Sequence, residues 1–490
     1  MKAKSLKLNF IMNAILTMSS FIFPLITWPY VSRVLMPEGT GKVSFATSVV
    51  SYFSMFAQLG IPTYGIRACA RVRDDKEKLN KVVHELLRIN CITTIISYTV
   101  FICVFFIVPS IACEKPLFLI VSATILFNAI GVEWLYKALE QYSYITIRSI
   151  IFKFIALVGM FGLVHSKEDY VIYGFLTIFA ASASNILNFI NLHRYVNLNL
   201  LERYDIKVHL KPVLVFFSMS VATNIYTHLD TVMLGFMTSN IDVGYYNAAV
   251  KIKVILVSIV TSLGTVLLPR ASSYVEQGKQ DEFIRITEKA LNFELIFAAP
   301  LSLYFILFAK NGIYFLSGNM YSGAVVPMQI IMPTLLLIGI SNITGIQILV
   351  PMGKEKIVLY SEIAGACVDL VLNIILIPKF ASSGAAFGTL AAELAVLMIQ
   401  MIALRKFLSE SIKKINFSKI LIALILGALG SIWVKMLSIG SFFTLFISAL
   451  CFFGVYGTIL LVLKEPLINE MFGHVLGLIK RKKFNDTKER

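Results

Sequence analysis

The chain has 490 residues, of which 57% are hydrophobic and only 15% charged, and its mean hydropathy is +0.79. Soluble domains carry charges on about 25% of their residues, so this composition excludes an ordinary soluble protein. The net charge of +16 would favour nucleic-acid binding only if the basic residues formed one patch. They are instead spread along the chain, and no nucleic-acid partner is predicted.

Apolar segments bounded by charges, Pro and Gly recur from end to end, many about as long as the ~20 residues that cross a bilayer as a helix. The first follows Lys2, Lys4 and Lys7, and it is too long for a cleaved signal peptide. The sequence therefore predicts an all-α, multi-pass membrane protein with fourteen spans. They cover residues 10–35, 43–66, 86–112, 116–136, 144–164, 170–192, 212–237, 244–268, 286–309, 323–349, 356–378, 383–404, 416–437 and 441–463.

Lys and Arg orient these spans, because cytoplasmic connections retain positive charge. With the N-terminus inside, most of the 44 Lys and Arg residues fall in the inner connections and the two ends. An even number of spans then predicts that both termini are cytoplasmic. The C-terminal Lys480–Lys483 segment is predicted to lie on anionic membrane lipids, which attract such charges. The outer connections hold only Arg33, Lys42, Lys115, Lys167, Lys310, Lys379 and Lys435.

An internal repeat divides the chain. Gly41 and Gly244 each open a span on the outer side, and the pairs Arg67-Ala68 and Arg270-Ala271 follow at the same distance, a constant offset of 203 residues (244 minus 41, 270 minus 67). Six spans fit into one offset, so the two copies are parallel. The prediction is two pseudo-symmetric six-helix lobes around a central cavity that opens to either side in turn. We assign residues 1–205 to the N-lobe, 206–410 to the C-lobe, 411–465 to helices 13 and 14, and 466–490 to a basic cytoplasmic tail.

Enzymatic signatures are missing from the sequence. The six cysteines form no CxxC pair and have no accompanying His spacing, so neither a metal site nor a redox pair is indicated. There is no P-loop motif, and no Ser/His/Asp grouping can be argued. We therefore predict no catalytic residue, no metal and no cofactor.

Several motifs resemble Wzx-type oligosaccharide flippases of the multidrug/oligosaccharidyl-lipid/polysaccharide exporter superfamily, and together they span residues 10 to 410. They are FPLITWPYVSRVL from Phe23, PEGTG from Pro37, QLGIP from Gln58, EWLYK from Glu133, HSKEDYVIYG from His165, and the run from Gly353 to Pro378.

The resemblance implies translocation of an undecaprenyl-diphosphate-linked oligosaccharide repeat unit across the bacterial cytoplasmic membrane, for capsule, O-antigen or exopolysaccharide synthesis. It also implies a polysaccharide polymerase and a chain-length regulator as partners. In this superfamily the cavity is lined chiefly by helices 1, 2, 7 and 8. A monomer is expected, because two lobes in one chain already form the cleft.

Charged residues inside the spans are the candidate substrate-binding residues, because a charge at bilayer depth is costly unless it faces protein or water. A diphosphate needs Arg or Lys as it leaves water. For the residues near helix ends, snorkelling to the interface is an alternative; for Lys153 and for an Asp230/Lys251 pair, a structural contact is the alternative. The candidates are Arg33, Arg148, Lys153, Asp230, Lys251 and Lys253.

Two further sets of polar residues have open roles. The carboxylates Glu294, Glu362, Asp369 and Glu393 lie within spans, where they either couple transport to H⁺ or Na⁺ or lock helices together. Stacking or hydrogen bonding to the sugars is predicted for Asn13, Trp28, Tyr30, Tyr64, Asn224, Tyr226 and Asn247.

Three other functions compete with the flippase. An ion-coupled multidrug antiporter of the same fold is disfavoured because the charges on the cavity helices are mainly cationic. A peptidoglycan-precursor flippase follows the same charge logic, and the sequence separates it poorly. A membrane polymerase or ligase would need a sizeable outer loop with catalytic residues, whereas the longest outer connection, residues 310–322, has one basic residue and no carboxylate.

Overall fold

The computed structural model describes residues 6–197, 204–408, 415–437 and 439–469, and all its regular elements are helices. Two compact units divide the chain: residues 1–247 with 316–321, and residues 248–315 with 322–490. The tail Lys480–Lys483 lies outside the described residues. The predicted all-α membrane fold is confirmed, whereas the predicted lobe boundaries stay a prediction.

Among its described residues, the first unit contains ten α-helices and the start of an eleventh. They are α1 (Leu6–Gln58), α2 (Ile61–Arg71), α3 (Lys76–Ile107), α4 (Pro109–Ala112), α5 (Lys115–Ile130), α6 (Glu133–Ala138), α7 (Tyr142–Leu163), α8 (Tyr170–Ile178), α9 (Asn185–Asn191), α10 (Lys207–Met237) and the first part of α11 (Asn240–Val260). A π-helical stretch, Phe179–Ala183, lies between α8 and α9.

The second unit continues from α11. It contains α12 (Ser262–Glu276), α13 (Gln280–Leu307), most of α14 (Ala309–Ser317), α15 (Val325–Ile331), α16 (Thr334–Asn342), α17 (Glu355–Ala403), α18 (Phe417–Ile432) and α19 (Ser441–Val462). A second π-helical stretch, Ile343–Leu349, follows α16.

The lengths of the helices can be compared with the predicted count of fourteen spans. Ten stretches of the described chain are long and apolar enough to cross a membrane, or eleven with the bent pair Asn319–Ile331 and Thr334–Leu349. Two of the ten are much longer than a single ~20-residue crossing: Leu8–Arg71 has 64 residues and Glu355–Ala403 has 49. Met36 in the first and Ala381 in the second are non-helical and lie near boundaries predicted between spans. Leu8–Arg71 is also interrupted by Leu59 and Gly60, inside a predicted span. The total of fourteen spans stays a prediction.

Each unit has its own apolar core, and large apolar side chains also cover the outside. In the first unit, Leu86, Trp134 and Tyr136 are buried in one cluster; in the second, Phe283 and Tyr456 belong to another. Outward-facing residues such as Phe10, Phe106 and Ile107 are more than 70% exposed. An apolar surface of this kind is stable in lipid rather than in water.

Candidate functional site

Arg148 is buried in the helix bundle of the first unit. It lies on α7 and is 4% exposed. Its Nη1 donates to the carbonyl of Ser184 at 2.5 Å and to Oδ1 of Asn185 at 3.2 Å. Its Nη2 lies 3.5 Å from Oε2 of Glu133, which also pairs with Lys137 at 2.8 Å. The charge of Arg148 is therefore compensated by protein groups, and its contact with substrate stays a prediction.

Lys153 lies on the same helix but has different partners. Its Nζ donates to the hydroxyls of Ser19 and Ser20 on α1, both at 2.9 Å. In the part of the chain that the structure describes, no carboxylate oxygen lies within 4 Å of this Nζ. Two neutral hydroxyls solvate an ammonium without neutralising it, so Lys153 retains a charge that an anion can meet.

Arg33 is exposed at the predicted outer end of the first span. Its guanidinium donates to the carbonyl of Pro29 in its own helix, and to the carbonyl of Leu316 at 3.4 Å. These contacts leave much of the guanidinium accessible. The position fits both a cavity-mouth role and the snorkelling alternative.

Asp230 is 6% exposed on α10 and accepts a hydrogen bond from the hydroxyl of Tyr246 on α11. Lys251 and Lys253 are half-buried on α11 and belong to the second unit. The predicted pairing of Asp230 with Lys251 stays a prediction.

Most of the predicted sugar-contacting residues have protein partners. Trp28 donates its ring N–H to Ser317, Tyr30 its hydroxyl to the carbonyl of Val164, and Tyr64 contacts His209. Asn224 and Asn247 donate to backbone carbonyls of their own helices. Asn224 also lines a cavity in the first unit. The side chain of Tyr226 lies outside the described part.

The two glycines of the internal repeat meet in the first unit. A β-carbon added to Gly41 would lie 2.7 Å from the carbonyl carbon of Asn240, and one added to Gly244 would lie 2.7 Å from that of Pro37. Asn240 and Pro37 are themselves 203 residues apart, so each copy makes the same contact with the other. Such reciprocity is what a two-fold axis generates. Only glycine allows this backbone approach.

A polar triad missed by the sequence analysis joins α2, α3 and α10 on the predicted inner side of the first unit. The hydroxyl of Tyr64 on α2 is 2.8 Å from Nδ1 of His209 on α10, and Nε2 of His209 is 2.8 Å from Oε2 of Glu85 on α3. The other oxygen of Glu85 accepts from the backbone N–H of Asp205 at 2.7 Å. His209 and Glu85 are 6% and 3% exposed. The sequence carries only a weak signal for Glu85 and His209, because each precedes a predicted span by only one to three residues and resembles an ordinary polar residue at a helix end.

Three of the four predicted intramembrane carboxylates are buried in the second unit, whereas Glu362 is exposed. Asp369 and Glu393 on α17 are 2% and 4% exposed, and a β-carbon at Gly388 would lie 2.9 Å from Oδ1 of Asp369. Glu294 on α13 is 2% exposed and packs against Gly339. Among the described residues, no group of three or more His, Cys, Asp or Glu side chains is arranged to hold a metal ion. A coupling role for these carboxylates stays a prediction.

Comparison with known proteins identifies the family of this chain. Residues 6–275 match the model of a family described as "Polysaccharide biosynthesis protein". A relative from Escherichia coli (strain K12), named "Putative O-antigen transporter", is 26% identical over 407 residues, which cover 82% of this chain and 97% of the relative.

Two solved structures are similar in fold. One is titled "Lipid II flippase MurJ, inward closed conformation", with a TM-score of 0.73, 17% identity, and coverage of 94% of this chain and 100% of that one. The other is an inward-facing multidrug resistance MATE family transporter of the MOP superfamily, with a TM-score of 0.65, 14% identity, and coverage of 83% and 99%. The resemblance noted in the sequence is confirmed. This multi-pass membrane protein belongs to the polysaccharide biosynthesis protein family.

Proposed function

We propose that the protein is a flippase that carries an undecaprenyl-diphosphate-linked oligosaccharide repeat unit across the bacterial cytoplasmic membrane by alternating access. The product would supply the synthesis of a surface polysaccharide such as capsule, O-antigen or exopolysaccharide. The name of the Escherichia coli relative, an O-antigen transporter, supports this substrate class.

The observation that carries the proposal is the environment of Lys153. An ammonium within an apolar span is costly, and its hydrogen bonds to Ser19 and Ser20 leave the positive charge without a carboxylate partner among the described residues. A lipid diphosphate has the opposite charge and supplies acceptor oxygens. A cationic drug has no such affinity for this position, so the multidrug antiporter is the weaker proposal.

The contact between Gly41 and Gly244 supports the alternating-access part of the proposal. It joins the two repeat copies through backbone atoms close to glycine, so separating them breaks no side-chain hydrogen bond or ion pair at these two positions. Small-residue contacts of this kind bring helices together by close packing. Opening here would give a large head group a route to the predicted outer side.

The remaining parts of the proposal concern the setting of the protein. We place both termini in the cytoplasm, in line with the distribution of Lys and Arg. The protein would act as a monomer, with membrane lipids around it, and deliver its product to a polysaccharide polymerase and a chain-length regulator.

Deletion of the gene in its own host tests the function. Loss of surface polymer, with undecaprenyl-diphosphate oligosaccharide accumulating on the cytoplasmic side and both restored by the native chain, is the expected result. Unchanged polysaccharide with altered drug or cation tolerance would identify an antiporter instead. Accumulated peptidoglycan precursor with arrested growth would identify the precursor flippase.

Variants of Lys153 test the mechanism in the same host. Lys153→Ala should lower translocation at least ten-fold at normal membrane abundance, and Lys153→Arg should restore part of it, because Arg keeps the charge. Lys137→Ala is the matched control, since the ammonium of Lys137 already has a carboxylate partner, Glu133, at 2.8 Å. Equal activity of the two Ala variants would contradict a role for the Lys153 charge.

A further inference from the structure

A cavity of about 240 Å³ in the first unit is lined by apolar side chains together with uncharged hydroxyls and carboxamides. It is smaller than the roughly 300–1,000 Å³ of sites for drug-sized ligands, so it suits one ring rather than an oligosaccharide. Among the described residues, no Asp, Glu, Lys or Arg contributes to its wall. The hydroxyls and carboxamides of the lining include Thr47, Ser54, Gln58, Thr124, Asn128 and Asn224.

A chain of hydrogen bonds connects this lining to the buried Arg148. Oδ1 of Asn185 accepts from Arg148 at 3.2 Å, and Nδ2 of Asn185 donates to Oδ1 of Asn128 at 3.3 Å. Nδ2 of Asn128 in turn donates to the hydroxyl oxygen of Ser54 at 3.1 Å, and Nε2 of Gln58 donates to the same oxygen at 3.1 Å. The series joins α7, α9, α5 and α1 within one unit.

Arg148 fixes the direction of the bonds that lead from it to Ser54. A guanidinium has donors only, so the oxygen of Asn185 must face it and the amino group of Asn185 must face Asn128. The same argument turns the amino group of Asn128 towards Ser54. In the structure, the hydroxyl oxygen of Ser54 also accepts from Gln58, so its proton is directed to a further acceptor.

Three polar atoms of the lining remain unused within the described chain. The proton of Ser54 and Oε1 of Gln58 have no hydrogen-bond partner in it, and Oγ1 of Thr124 is buried without one. Together they offer a donor, an acceptor and a hydroxyl that can be either. Sugar hydroxyls both donate and accept, so they match this set, whereas a diphosphate or a drug cation finds no opposite charge.

We propose that this cavity binds one uncharged sugar unit of the translocated head group, and that Arg148 is a positioning residue that sets its donor and acceptor pattern. This inference rests on the proposed flippase function and adds to it where the sugar is recognised. The predicted direct contact between Arg148 and substrate is not needed for this role.

Binding to the full-length protein in lipid nanodiscs tests the inference. The probes are undecaprenyl diphosphate and the same lipid carrying one glucose, galactose or N-acetylglucosamine. The native protein should bind at least one sugar-bearing lipid about ten-fold more tightly than the bare lipid. Thr124→Val, which is nearly isosteric, and Asn128→Leu should reduce this ratio to two or less and change the affinity for the bare lipid by less than two-fold.

Arg148 variants separate positioning from plain stability. Arg148→Met should reduce the ratio as Asn128→Leu does, although Arg148 is not part of the cavity wall, and Arg148→Lys should restore it because Lys also only donates. Asn90→Leu is the matched control. Asn90 is a buried amide on α3 that donates to the carbonyl of Ala129, next to Asn128 on α5, but it does not line the cavity. The ratio of the two affinities should therefore stay native.

Two outcomes would overturn the inference: no sugar-bearing lipid binds more tightly than the bare one, or Thr124→Val and Asn128→Leu keep the native ratio. Failure of folded native protein to bind any of the four lipids would instead refute the proposed function. Thr124→Val removes one hydroxyl and little volume, so a variant that folds is available even if the changes at Asn128 and Arg148 do not fold.

Discussion

The two ends of the second predicted span, residues 43–66, pack against α10 and α11 by different means. At the predicted outer end, Gly41 contacts the backbone of Asn240, and Gly244, its counterpart in the second copy, contacts the backbone of Pro37. At the predicted inner end, a β-carbon at Gly60 would lie 2.5 Å from the N of Phe217, but the corresponding residue of the other copy is Leu263. The outer contact is symmetric and the inner contact is not.

Side-chain chemistry differs between the ends as well. Close to Gly60, the Tyr64, His209 and Glu85 side chains form a buried hydrogen-bonded series, whereas the outer contact is made by glycine and backbone. Opening the inner end must expose a carboxylate and an imidazole to water. At the outer contact, the atoms nearest a β-carbon on Gly41 or Gly244 belong to the backbone, so we infer that the two ends respond to different perturbations.

The largest effect is expected from filling the outer contact. Gly41→Ala and Gly244→Ala each place a methyl group 2.7 Å from a carbonyl carbon, which forces the helices apart, and each should lower translocation at least ten-fold. Because the contact is reciprocal, the two losses should agree within about two-fold. Translocation of the lipid-linked precursor by membrane-inserted variants is the measurement.

Gly162→Ala on α7 is the control for these variants, since a β-carbon there meets no atom within 4 Å. Native activity of Gly41→Ala, or a loss confined to one of the two repeat positions, would show that the contact is not a symmetric gate.

An intermediate effect is expected at the inner end. Removing the carboxylate by Glu85→Ala leaves His209 and the N–H of Asp205 without their acceptor, so the free energy of unfolding should fall by about 2 kcal/mol. His209→Ala should cost a similar amount, and the double variant should cost less than the sum, because the two residues share one bond. Thermal unfolding in detergent measures all three.

His193→Ala, an exposed histidine on the same predicted side, should have no measurable effect. Additive costs for Glu85→Ala and His209→Ala would show that the bond between them contributes nothing to stability.

The sequence predicted some of this architecture, for identifiable reasons. Gly41 and Gly244 were recognisable because the repeat preserves their spacing. That each of them packs against the other copy of the repeat is visible only in the structure. Charge inside a span pointed to Arg148 and Lys153, but a charge does not reveal its partners. Arg148 shares the carboxylate of Glu133 with Lys137, whereas Lys153 has two hydroxyls.

Neutral amides were harder to find. Asn128 is a single polar residue in an apolar run and Asn185 stands beside serines, with no spacing that relates either amide to Gln58 or Ser54. Their connection depends on three-dimensional packing around α5, where a β-carbon at Gly131 would lie 2.7 Å from Nδ2 of Asn185. Helix continuity was also unpredictable, because α1 and α17 pass through a single non-helical residue each, without a loop.

The smallest effect is expected at the start of α3, the helix that carries Glu85 to the inner contact. Asp75 caps this helix by accepting from the backbone N–H groups of Glu77 and Lys78 at 3.2 and 3.1 Å. The hydrogen bond from the Lys78 side chain, together with that from its backbone, holds the pKa of Asp75 below its usual value.

Because the folded pKa of Asp75 is the lower one, its contribution to stability is present above the unfolded value of about 3.9 and is lost as the pH falls through the folded value. Asp75→Asn keeps a cap without the charge, so hydrogen exchange in residues 76–85 should be faster than in the native chain at pH 6, and the difference should shrink at pH 3.5. Asp74→Asn, whose carboxylate is almost fully exposed and caps no helix, should match the native chain at both values. A difference between Asp75→Asn and native protein that persists unchanged at pH 3.5 would mean that the charge of Asp75 does not stabilise the helix start, and that this part of the inner end depends on the shape of the cap alone.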